Sequence, residues 1–196
     1  MKITTRGVSV LAASAMISTT ALPVLAQAPG PGVLYTVIIP AGEFGSSNYT
    51  AVVTANIAAA RAFCASIDND SYKVDCLAER LGQVSDEIPS DSDYAEVKQI
   101  LSDTSDQLAE LARTNRDTAQ PRGRATSTGE TPVTTTRPLT PVTPSALPEV
   151  NAQAEAILDS TQTLLLRSAE SSESKALQYS RIADAVGSTK VLLRST

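Results

Sequence analysis

Apolar residues recur at helical spacing in four stretches of this chain, and one proline-rich stretch with no such period separates the third from the fourth. Val53, Ile57, Ala60 and Cys64 fall three and four residues apart with alanines between them, which predicts a helix over 50–67. Asp68, Asn69, Asp70 and Ser71 then form a turn cluster. Leu77, Leu81, Val84 and Ile88 share one face of a second helix that begins near Val74 and stops at Pro89. Asp93 followed by Glu96 has the spacing of a capping box for a third helix reaching 115. Its stripe is Val97, Ile100, Leu101, Thr104, Leu108 and Leu111, and Asp103, Asp106, Glu110 and Arg113 mark a solvated opposite face.

Residues 118–148 hold Pro121, Pro132, Pro138, Pro141, Pro144 and Pro148 among many threonines, with Thr-Pro-Val-Thr written twice, at 131–134 and 140–143. Each proline removes a backbone donor and biases its predecessor away from helix, so neither helix nor central strand is expected. Composition of this kind predicts a solvated tether of about thirty residues. From Glu149 the helical period returns: Val150, Ala154, Ile157, Leu158, Thr161, Leu164 and Leu165 make one stripe, and Leu177, Ile182, Ala185, Val186, Leu192 and Leu193 another. The polar run 168–174 between them leaves two outcomes, one long helix or a hairpin, with the break slightly favoured. A tail that folds back would complete a four- or five-helix bundle in cis.

The chain begins with Lys2 and Arg6, a weakly polar apolar run over 7–22, and Pro23, Val24, Leu25 and Ala26. This is the pattern of a bacterial-type signal peptide cut after Ala26, and it predicts a periplasmic or secreted product. Residues 27–49 read as an extended leader, with the β-branched run Val33 to Ile39 serving as an arm on the helices, a strand for another molecule or a flexible lead-in. The expected organisation is a signal peptide over 1–26, a leader over 27–49, a disulfide-stapled helical module over 50–116, a linker over 117–148 and a C-terminal long helix or hairpin over 149–196. The fold class is all-α, a small helical bundle or helical hairpins, with a short N-terminal extended segment and a disordered Pro/Thr-rich linker.

Charge and cysteine usage narrow the partners. The formal net charge is −5, and becomes −7 when Lys2 and Arg6 leave with the signal. An acidic chain is a poor binder of nucleic acid or of anionic lipid. Its densest cationic patch, Arg116, Arg122, Arg124 and Arg137, lies along the stretch read as a tether. No second apolar run of about 18 residues exists, so no membrane span is expected after cleavage. Cys64 and Cys76, the only cysteines, read as one structural disulfide in an oxidising compartment.

Catalytic chemistry is poorly supplied. The chain has no histidine, which removes Ser-His-Asp and Cys-His constellations and the usual zinc sites. Ser172, Glu173, Ser174 and Lys175 match the S-x-x-K pattern, but in a serine-rich stretch with no companion motif and little chain beyond it. The closely spaced pairs Asp68/Asp70 and Asp91/Asp93 lack the further ligands of a calcium loop and read as caps and turns. No cofactor is expected. The leading functional expectation is a non-enzymatic exported protein that binds another envelope or extracellular protein, or itself, through amphipathic helix faces, with Leu101, Leu108, Leu111, Ile157, Leu164 and Leu165 as the candidate face. The alternatives are a small-molecule or polymer-binding helical module, which the scarcity of aromatic residues disfavours, and an enzyme of unrecognised type.

Overall fold

The computed structural model describes residues 47–128, 131–169 and 173–195. The expected signal peptide and nearly all of the expected leader, including Val33 to Ile39, lie outside the described residues. The helices are α1 (Ser47–Ala65), α2 (Lys73–Asp86), α3 (Ala95–Thr114), α4 (Leu147–Ser168), α5 (Glu173–Ser188) and the short α6 (Lys190–Arg194). The protein is an all-α bundle, and no strand occurs among the described residues.

The five long helices close into a ring. Each packs on the next, and α5 returns to α1. The chain turns back after Ser168, so α5 and α6 run antiparallel to α4: Lys190 pairs with Asp159 near the middle of α4, and Arg194 pairs with Glu155 one turn earlier. The main core is Val53 and Ile57 of α1, Leu77 and Leu81 of α2, Val97, Leu101 and Leu108 of α3, Leu158 and Leu165 of α4, and Ile182 and Val186 of α5. The stripes are therefore spent inside one chain. A polar contact crosses this core: the Thr104 and Thr161 hydroxyls lie 2.8 Å apart, each within reach of the carbonyl four residues earlier in its own helix, so that one donates to the other and the acceptor's proton goes to its own carbonyl.

Helix ends have identifiable causes. Helix α2 stops before Pro89, and the Lys98 ammonium donates to the Ser85 and Ile88 carbonyls at that end, the first of which also accepts the Ile88 N–H. Gly82 lets α2 approach α3 closely, since a Cβ there would stand 2.8 Å from Ser105 Oγ. The capping box expected from Asp93 and Glu96 does not form. Tyr94 occupies the cap position and buries its ring between Tyr49 and Tyr179, 4.6 Å from the first by ring centroids. Ser92 Oγ accepts from the Tyr94 N–H, and Glu96 accepts from Lys175 on α5.

Cys64 and Cys76 form the expected disulfide where α1 gives way to α2, with a Cα separation of 5.7 Å. Closing so short a loop contributes on the order of 3 kcal/mol in the chain-entropy account. Around the disulfide a second, smaller core gathers Phe63, Leu139 and Leu192, bringing together α1, α2, α6 and the proline-rich segment.

That segment corrects an expectation. The described residues of 115–143 hold no helix, as their prolines require, but they are not a solvated tether. The chain doubles back on itself through antiparallel bridges at Arg116 and Val142, Gly123 and Leu139, and Thr126 and Thr134. Nested backbone hydrogen bonds tie the two arms, among them Asp117 N–H to Pro141 O at 2.8 Å and Leu139 N–H to Gly123 O at 2.7 Å. The two Thr-Pro-Val-Thr units use their valines alike: Val142 is buried in the main core and Val133 packs against the disulfide core. The result is an irregular hairpin laid along the bundle.

Candidate functional site

Helix α2 is buried around most of its circumference, yet it carries Asp75, Glu79 and Arg80 among its buried residues. A helix covered on all sides is ordinarily apolar throughout, so these charges need partners. The hairpin supplies most of them. The Arg137 guanidinium grips the Asp75 carboxylate with both nitrogens, at 2.6 and 2.7 Å, and the Thr140 N–H donates to the same carboxylate at 2.6 Å. Glu79 accepts from the Thr136 N–H and hydroxyl, each at 2.8 Å, and from neighbouring Arg80. Arg80 in turn lies over the Phe63 ring, 4.7 Å from its centroid. Burial alone would raise the Glu79 carboxyl, but the hydrogen bonds from Arg80 and Thr136 outweigh it and hold the group below the usual carboxylate range. Asp75 in turn draws the Arg137 guanidinium above its ordinary value through their hydrogen bonds.

Two concavities flank the anchored hairpin. One is a cleft of about 250 Å³ lined by Asp75, Arg113, Arg122, Arg137, Pro138 and Thr140. The other, about 310 Å³, is more apolar and runs past Ile67, Tyr72, Ala125 and Leu139, where the Tyr72 hydroxyl donates to the Pro121 carbonyl. Inside the bundle, the cavity beside Tyr49 and Glu87 measures about 20 Å³, room for one water.

The residues expected to form an interaction face are placed differently from one another. Leu101, Leu108 and Leu165 are fully buried, Leu111 and Ile157 are partly buried against the same core, and only Leu164 stands out, 50% exposed. This corrects the face as a unit: five of its six members serve the fold's own interior. Leu166, Leu177 and Val191 are also exposed, but Leu164 and Leu166 flank the buried Leu165 on opposite sides of α4, about 160° apart around the helix, and make no single stripe. Lys175 of the S-x-x-K match pairs with Glu96 at 2.7 Å and lies over the Tyr179 ring. Among the described residues no group of three or more histidine, cysteine or carboxylate side chains is arranged to hold a metal ion, and no helix is long and apolar enough to cross a membrane.

Sequence reasoning missed the anchoring acids and the shape of the hairpin. One signal was present: Asp75 and Glu79 sit four apart on one helix face, a like-charge spacing that is unfavourable unless cations or donors come from elsewhere. Comparison with known proteins adds no precedent for this arrangement, because no family model, no curated protein and no solved structure matches the chain.

Proposed function

We propose that this protein is an exported, non-enzymatic binding module that presents the 115–143 hairpin to another protein. One observation carries the reading, namely that the hairpin is bonded to charges buried in α2. Burying ion pairs is a poor way to gain stability, since desolvation offsets most of the attraction. What such a network secures is conformation, and a long non-helical segment fixed on a rigid scaffold is the usual form of a recognition surface. Pro121, Arg122, Arg124, Thr126, Pro132 and Thr134 face solvent along it. The non-enzymatic part of the reading rests on the lack of histidine, and the exported part on the N-terminal sequence pattern and the disulfide.

Site-specific photo-cross-linking in the native envelope tests the proposal. Probes at Thr126 and Pro132 should capture one dominant protein, while probes at Asp106 and Leu164 should not. Capture from Leu164 alone would return the contact to the α4 helix face. Equal yields from all four positions would reject the hairpin as the contact surface.

A further inference from the structure

We propose that the cleft between the last turn of α3 and the hairpin binds a carboxylate group. Three guanidinium groups line it, those of Arg113, Arg122 and Arg137, in a chain whose overall charge is −5. Their existing partners differ. Arg137 is committed to Asp75, whose carboxylate is fully buried. Arg113 is bonded to Glu110 at 2.6 Å, but both side chains of that pair are more than half exposed, so solvent screens the bond and Arg113 can leave it for another acceptor at little cost. Arg122 is exposed and has no hydrogen-bond or ion-pair partner among the described residues. Two of the three guanidinium groups thus have a carboxylate partner of their own, Glu79 close to Arg137 is balanced by Arg80, and the positive charge of Arg122 is left over.

That balance selects the ligand. A single negative charge cancels the surplus, whereas a phosphate dianion would leave a negative charge beside Asp75 at the cleft wall. The planar fork of arginine fits the two oxygens of a carboxylate bidentately, and Arg137 already holds Asp75 in this way within the same cleft. Arg122 provides the primary contact and Arg113 the second. The carboxylate comes either from an acidic side chain of a protein partner, in which case the inference rests on the hairpin being the contact surface, or from a free small carboxylic acid.

The test is a nitrogen-15 NMR titration of the full chain with sodium acetate, against sodium chloride at matched ionic strength. Acetate should give saturable shifts at the Gly123 and Thr140 amides and at the Arg113 and Arg122 side chains. Arg122→Ala should weaken the response about five-fold, and Arg122→Lys, which keeps the charge without the fork, should fall between. Equal shifts from chloride, an unchanged titration in Arg122→Ala, or tighter binding of inorganic phosphate than of acetate would each overturn the proposal. A capped glutamyl tripeptide that binds more tightly than free glutarate assigns the carboxylate to a protein, and the reverse order assigns it to a small acid. None of these titrations needs a partner, so their failure leaves the cross-linking test of the contact surface standing on its own.

Discussion

The ring of helices and the seam between α2 and the hairpin are built from different physics. In the ring, Leu77, Leu101, Leu108, Leu158 and Ile182 are buried against one another, and the favourable term scales with apolar area, whichever well-packed side chain supplies it. At the seam, Asp75 and Glu79 are buried against donors fixed in direction, Arg137, Thr136 and Thr140. The first arrangement tolerates conservative exchange and stabilises the whole molecule. The second tolerates little exchange and stabilises one conformation of one segment.

Perturbing each region in turn should separate these roles. The largest loss is expected in the ring: Leu101→Ala removes a fully buried side chain and should cost about 3 kcal/mol, read as a lower urea midpoint with hairpin and helices unfolding together. Asp75→Ala strips Arg137 and the Thr140 N–H of their acceptor. It should cost about 2 kcal/mol, moderated because Arg137 still reaches water, and hydrogen exchange at Thr140 should speed up before that of α3. If Thr140 exchange stays coupled to global unfolding, the seam is no separate unit.

Acid should loosen the seam before the ring. The Glu79 carboxyl lies below its ordinary value in the folded protein, so its stabilising contribution is present above the unfolded value of about 4.3 and is lost as pH falls through the folded one. Glu79→Gln should cost about 1 kcal/mol at neutral pH and flatten the decline in stability below about pH 4. A decline as steep as in the wild type would assign the acid sensitivity to other carboxylates. The smallest effect belongs to the bundle surface: Lys175→Ala breaks a part-exposed pair with Glu96 and a contact with the Tyr179 ring, and should cost less than about 1 kcal/mol by urea titration.

The same division explains what could be read from the residues alone. Periodicity located α1 to α3 within a few residues and the two stripes of the C-terminal region because each helix buries a stripe, though it left open whether that region breaks into α4 and α5; the cysteine pair announced its bond. Periodicity does not say what covers a stripe, so Leu108 and Leu165, correctly recognised as a buried-type face, suited a partner molecule as well as the neighbouring helix that in fact meets them. The hairpin was illegible for a related reason. Its apolar anchors are few, Val133, Leu139 and Val142, and its polar anchors lie on α2, with Asp75 and Arg137 62 positions apart. Prolines rule out helix there, but they do not rule out a ribbon whose donors and acceptors are met by another element. Arg122 and Arg137 were visible in a cationic run, Arg113 was read as solvated surface of the third helix, and only the fold shows that Arg113 and Arg122 share a wall with the Asp75 pair.

The distance along the chain between Asp75 and Arg137 also orders the assembly of the molecule. Helices α2 and α3 are neighbours in sequence and can pair early, because little chain entropy is lost in bringing them together. The acid-bearing face of α2 must stay hydrated until residues 136–140 arrive, since Asp75 without Arg137 and the Thr140 N–H, and Glu79 with Arg80 alone, would hold water against the collapsing core. Docking of the hairpin is therefore a late step, and pulse-labelled refolding should show the Thr140 amide protected after the amides of α2. The buried acids act as a lock that closes last, so the hairpin reaches its finished shape only on a chain whose helices are already assembled.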